Sequence, residues 1–251
     1  MSRKNLVSTG VLALMLGAAA TAVYAQRGGG GFQGGPPPGV VIQGPTGDSP
    51  PPKAPPPSKP LAVRDIPARG GAKLTVTSPA FQDGKDIPGE NTQYQFNLFP
   101  GLNWTPGPAG TKSYVLILQD AETAMMDGSP NLHFSLYNLS PNSTSLKQNM
   151  DPRRTPPGAN YGPNYYGRSQ SYLGPRVPAG PKHHFHFEIF ALDTMLNNEE
   201  IADYGDLMDA MRGHVLASGE IVGSSSADLD AGVNPMNRGG PGGPGGGGRG
   251  G

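Results

Sequence analysis

Where glycine and proline fall decides where this chain can fold at all. The 251 residues include 39 Gly and 29 Pro, and both types crowd toward the two ends. Between Gln26 and Pro60 they dominate, first as GGGGFQGGPPPG and then as SPPPKAPPPSKP. Such a stretch holds too little apolar surface to offset the entropy of ordering it. From about Lys73 to Ala231 the composition is that of an ordinary globular protein, and about 160 residues suffice for one core. The expectation is a single domain over residues 71–232, preceded by a Gly/Pro-rich linker over 26–70 and followed by a Gly-rich disordered tail over 233–251.

Residues 1–25 read as a secretory signal peptide: Arg3 and Lys4, an apolar run from Leu6 to Ala20, then small residues at Val23 and Ala25. Cleavage near Ala25 implies export to a periplasmic or extracellular space. With no cysteine, neither a disulfide framework nor a lipid on a thiol is available. Without Arg3 and Lys4, 17 basic groups face 19 acidic ones, a net charge of −2 that offers nothing to attract nucleic acid or anionic lipid over long range. The proline-dense part of the linker favours extended polyproline II, a semi-rigid spacer of about 3 Å per residue, and also the kind of segment an aromatic groove on a partner protein recognises.

Within the domain, alternation marks the strands. KLTVTS (73–78), a short run at Gln93–Leu98, the apolar run Tyr114–Leu118 ending at Asp120, and LHFSLYNL (132–139) all read as strands. In the last of these, Leu132, Phe134 and Leu136 share one face, with His133, Ser135 and Tyr137 on the other. Residues 140–173 form a long polar loop with four tyrosines. The run from His183 to Asp193 holds three of the five histidines and puts His183, Phe185, Phe187 and Ile189 on one face, and His184, His186, Glu188 and Phe190 on the other. Asp203 caps a helix in which Leu207, Ala210, Met211, His214 and Val215 share a stripe, and Glu220–Val222 is a last short strand. This order describes a mainly antiparallel β domain.

Six of these segments together resemble the phosphatidylethanolamine-binding protein family, in its bacterial Raf kinase inhibitor-like branch. They are SPAFQDGKDIP (78–88), LNWTPGPAGTKSYVLILQDAE (102–122), His133-Phe134, the turn from Gly174 to Gly180, His183–Asp193 and AMRGHVLASGEIVG (210–223). The resemblance implies a large central antiparallel sheet, a smaller second sheet and a few peripheral helices. It also implies a small cavity for a phosphate-like anion or phospholipid headgroup. Matched by motif, that cavity takes Asp120, His133, His183 and the Gly174-Pro175 turn, with Glu122 as second acid and Phe185 where the family usually has Tyr. The family's DPDAP is DAETA here, and Val177 replaces a proline of the turn.

The residue chemistry can be argued independently. Imidazoles beside a carboxylate become cationic donors near neutral pH, and main-chain N–H groups of a glycine turn add neutral ones. A rival reading is a metal site of His184, His186 and Glu188, at every second residue of one strand face. A third is acid/base catalysis in the Asp/His cavity, and a fourth is inhibition of an extracytoplasmic protease. With no Cys and no G-x-S-x-G elbow, no nucleophile or other catalytic residue is assigned. Binding of a small anion, without a cofactor, is the leading expectation.

Overall fold

Four long strands with apolar residues on both faces can be satisfied only by a sheet covered on both sides. The computed structural model describes residues 55–151, 154–168 and 171–227. The signal-like segment, the linker up to residue 54 and the Gly-rich tail lie outside the described residues. The strands are β1 (Ala72–Lys73), β2 (Val76–Thr77), β3 (Lys85–Asp86), β4 (Leu102–Trp104), β5 (Ser113–Ala124), β6 (Pro130–Leu139), β7 (Ser145–Leu146), β8 (Asn160–Tyr161), β9 (Pro163–Asn164), β10 (Gly167–Arg168), β11 (His183–Leu192) and β12 (Val215–Ser225). Helix α1 (Ala62–Asp65) precedes them, and α2 (Tyr204–Met211) lies between β11 and β12.

The main sheet runs β1-β12-β11-β5-β6-β8, with β3 also on β12. Its long strands are all antiparallel, while the two-residue strands β1 and β3 lie parallel to β12. A smaller sheet, β2-β4-β7, accompanies it. The fold is therefore mainly β, with a large central sheet, a smaller one and few helices, as the resemblance implies.

Alternation sorts the side chains. Tyr114, Leu116, Leu118, Phe185, Phe187 and Ile189 face a front core shared with the small sheet. Val115, Ile117, Phe190 and Leu192 face a back core closed by α1 and α2. Each fully buried side chain of this size contributes about 1.5–3 kcal/mol, so the two cores dominate the stability. Helix α2 begins as expected: the Asp203 side chain accepts from the Asp206 N–H, and Asp206 reaches back in a capping box.

Several expectations are corrected. The 73–78 strand is split, β1 joining the main sheet and β2 the small one. Gln93–Leu98 forms turns rather than a strand, with Asn97 at φ 56°. The helix ends at Met211, Gly213 turns the chain at φ 76°, and His214 is an exposed partner of Asp193 at 2.7 Å rather than a core residue. The final strand has 11 residues, because Ala217 and Ser218 are buried as deeply as Ile221.

The linker boundary at residue 70 also moves. Ala62, Val63 and Ile66 are buried in the back core, their apolar character masked by the surrounding prolines when composition is averaged. The N–H groups of Ala62 and Val63 are accepted by Gln119 Oε1 (2.9 Å) and Glu188 Oε2 (3.0 Å), buried polar groups of β5 and β11. The residues just before the domain thus form a strap docked on the sheet. Ile66→Ala should lower the unfolding free energy by about 2 kcal/mol or more, read from the urea midpoint. A change of only a few tenths would mean that the strap is not docked in solution.

Candidate functional site

A register shift at the edge of the front core creates the site. Leu118 pairs with Phe134 but Gln119 pairs with Leu132, so His133 is the extra residue of a β-bulge. The bulge sends Leu132 to the back core while Phe134 and Leu136 stay in front, which breaks the face assignment expected for 132–136. His133 stands edge-on to Phe185 and Tyr165, both ring centroids at 5.1 Å. Phe185 is fully buried and belongs to the front core, so its role is to pack against the imidazole.

On β5 and β11 the pairing of Asp120 with Phe185 brings the carboxylate beside His183. His183 Nδ1 donates to Asp120 Oδ2 at 2.8 Å, with both residues buried. Asp120 also accepts from the Glu122 N–H (2.9 Å) and the Thr123 hydroxyl (2.7 Å), which fixes its position. Among the described residues, nothing hydrogen-bonds the second nitrogen of His183. Asp120, Glu122 and His183 each offer a ligand atom within 4.8 Å of the others. Glu122, however, is committed to the rim: its carboxylate accepts from both the N–H and the Nδ1 of His184, each at 2.7 Å.

His133 is close enough to feel the charges of Asp120 and His183. Burial pushes it below the usual imidazole range, and the Asp120 charge and the nearby carbonyls offset that only in part. Its Nδ1 donates to the Gly174 carbonyl at 3.2 Å and its Nε2 accepts from Asn131 at 3.4 Å, the pattern of a neutral ring. One imidazole is thus paired to a carboxylate, and burial disfavours the charge of the other.

The Gly174-Pro175 turn differs from expectation too. The Gly174 N–H goes to Asn97 Oδ1 (2.8 Å), Pro175 has none, and the Val177 N–H goes to the Tyr94 hydroxyl (3.1 Å). The Gly174 carbonyl accepts from Gln93 Nε2 at 2.7 Å as well as from His133. The Gly174 and Val177 N–H groups are thus committed to the scaffold, and the Gly174 carbonyl orients the His133 imidazole. Glycine is needed because a Cβ at 174 would run into the Asn91 carbonyl oxygen.

Two further residues belong to segments near the site: Tyr165 of the tyrosine-rich loop and Arg176 of the Gly174–Gly180 turn. Burial pushes the Tyr165 phenol up to about 12, the Gln93 hydrogen bond and the Arg176 charge opposing it only in part. Arg176 itself is exposed. A groove of about 570 Å³ opens alongside, bordered by Met125, Asn131, Tyr165 and Tyr204. Asn131 and Tyr165 border the groove and also touch His133.

The residues of the metal reading are dispersed differently. His184 is exposed and paired to Glu122, whereas His186 bonds Glu220 Oε2 at 2.8 Å and Glu188 is fully buried. Burial pushes the Glu188 carboxyl well above the usual range and the Glu220 charge adds to that, the Val63 N–H and Arg64 opposing it.

Gly174→Ala should lower the unfolding free energy by about 1–3 kcal/mol, as overpacking does, and should shift the His133 ring resonances. An unchanged stability would mean the turn is not packed as described.

A family model described as phosphatidylethanolamine-binding protein matches residues 77–226. A UPF0098 protein of Methanothermobacter thermautotrophicus is 34% identical over 151 residues, covering 60% of this chain and 97% of that one. A protein of Mycobacterium tuberculosis named as a lipoprotein, LppC, is 34% identical over 131 residues, 52% of this chain and 61% of that one. Among solved structures, a phosphatidylethanolamine-binding protein homologue from Chlamydia trachomatis, CT736, superposes with a TM-score of 0.55 at 30% identity, over 62% of this chain and 99% of that one. The E. coli protein YbcL, at a TM-score of 0.56, 24% identity and coverage of 62% and 100%, shares the fold. With its matched segment spanning most of both cores and every residue of the histidine site, the chain belongs to the phosphatidylethanolamine-binding protein family.

Proposed function

We propose that this chain is an exported binding protein that holds a small phosphate-like anion, free or as a phospholipid headgroup, at His183 and His133, without catalysing a reaction. The observation that carries the reading is the buried hydrogen bond from His183 to Asp120, 2.8 Å long. Asp120 holds the Nδ1 side of the His183 ring and fixes its orientation, which leaves the other ring nitrogen to face the guest. Exposed Arg176, whose charge is felt at Tyr165, adds a positive charge on this side of the molecule. A guest larger than inorganic phosphate would extend past Asn131 and Tyr165 into the groove. Export rests on the signal-like residues 1–25 and on the relative named as a lipoprotein.

His133 gives the site a pH dependence with a definite sign. The ring is neutral in the free protein because burial disfavours its charge, and an anion beside it favours that charge. Binding then takes up a proton, so affinity rises as pH falls. Sulfate, whose own charge is constant over this range, should bind up to about tenfold tighter per pH unit between pH 8 and 6, measured by calorimetry. A flat profile would remove His133 from the site.

His183→Ala should weaken phosphate binding by at least about tenfold, since a hydrogen bond to a charged group is worth about 1.5–3 kcal/mol. Phosphoethanolamine titrated in parallel distinguishes a headgroup from a bare anion. Absence of phosphate and phosphoethanolamine binding by the unmodified protein, or equal binding by the variant, rules the assignment out.

A further inference from the structure

The face of the sheet away from the histidine site carries a polar cluster that anion binding does not use. Glu188 of β11 is paired directly with Glu220 of β12, so their side chains stand together on the back face, and His186 shares that face two residues before Glu188. One ligand atom from each of the three lies within 4.8 Å of the other two. Glu188 has no exposed surface. Its Oε2 accepts from the Val63 N–H at 3.0 Å, whereas its Oε1 is buried with no hydrogen-bond partner. A carboxyl group is almost never fully buried unless paired, and a buried acceptor left unsatisfied costs about 1–3 kcal/mol. An atom that accepts nothing from the protein, in a cluster of metal-ligating groups, is an atom available to a cation.

We propose that His186, Glu188 and Glu220 bind one divalent first-row transition-metal ion, with zinc as the type case, beneath the docked strap. One imidazole nitrogen and two carboxylate oxygens suit zinc and its neighbours, whereas calcium and magnesium take oxygen ligands alone. Two carboxylates cancel the charge of a dication, so the buried Glu188 gains a counter-ion where it lacks an adjacent one. The groups around the site orient the ligands: the Val63 N–H holds Glu188 Oε2, and Arg64 holds Glu220 Oε1 at 2.6 Å. Metal–ligand bonds of about 2 Å require the ligand atoms to draw a little closer together. The His186 and Glu220 side chains are 12% and 20% exposed, which leaves them both a path to solvent and the freedom to move. The ion replaces His184 of the sequence-based metal reading with Glu220, a residue 34 positions from His186 that only strand pairing brings near.

Because Val63 and Arg64 belong to the strap, the ion also ties residues 61–66 to β11 and β12. The test uses the full chain, without a histidine tag, stripped with chelator and dialysed against a small excess of zinc. The expected result is about one equivalent of zinc retained by elemental analysis, together with a zinc-dependent rise in thermal midpoint. Glu188→Gln keeps the shape and the acceptor for the Val63 N–H but removes the ligand charge, and should weaken zinc binding by at least tenfold while leaving sulfate binding unchanged. His186→Ala, at a partly exposed position, should do the same. Failure of the unmodified protein to retain zinc overturns the proposal. So does equal retention by Glu188→Gln, which would place any bound zinc at exposed pairs such as His184 with Glu122.

Discussion

The antiparallel register of β11 between β5 and β12 is the constraint on which the rest depends. It sets Phe185 opposite Asp120, and Glu188 between Ile117 and Glu220. Because side chains alternate faces, a slip of one residue would send His183, Phe185 and Phe187 to the back, and His186 and Glu188 to the front. Both polar clusters would be lost together with both cores. The large aromatic residues on the two faces make that slip very costly, so the packing that stabilises the sheet is also what holds the polar groups in register.

On the front face, burial and hydrogen bonding divide the labour between two histidines of the same residue type. His183 is matched to a carboxylate that is itself held by Glu122 and Thr123, whereas His133 is matched to a carbonyl and an amide and boxed by two aromatic rings. Carboxylate and carbonyl place very different demands on a ring: the first is compatible with a charged imidazolium, while the second leaves burial to win. The loop from Tyr172 to Val177 serves this arrangement by consuming its own polar groups, through Asn97, Gln93 and Tyr94. These bonds, with the close approach of Gly174 to the Asn91 carbonyl, hold in place the carbonyl to which the His133 ring donates.

The back face solves a different problem. Gln119 and Glu188 put buried polar atoms against the back core, and the strap brings the N–H groups that Gln119 Oε1 and Glu188 Oε2 accept. Strap and sheet are thus mutually dependent: the first turn of α1 lacks internal acceptors for these N–H groups, as every helix start does, and the sheet supplies them. Segment 61–66 accordingly belongs to the folded body although it lies ahead of the family match at 77–226.

Much of this protein was legible from the amino-acid order because hydrophobic period and Gly/Pro content are local properties. They marked β5, β6 and β11, the two faces of the 183–190 run, and the glycine- and proline-rich ends, and the residue type of Asp203 marked the start of α2. The conjunction of six segments marked the family and its fold. What tertiary structure decided was partnership: the bulge that turns His133 onto the front face, Glu122 joined to His184, Glu220 joined to His186, and the Gly174 turn closed upon Asn97 and Gln93. Nothing in local sequence encodes these choices, since each joins residues on different strands or loops and is settled by how the two cores fill. The strap escaped notice for the opposite reason: four apolar residues set among prolines carry too weak a period to register alone, and only a sheet with open acceptors makes them part of the fold.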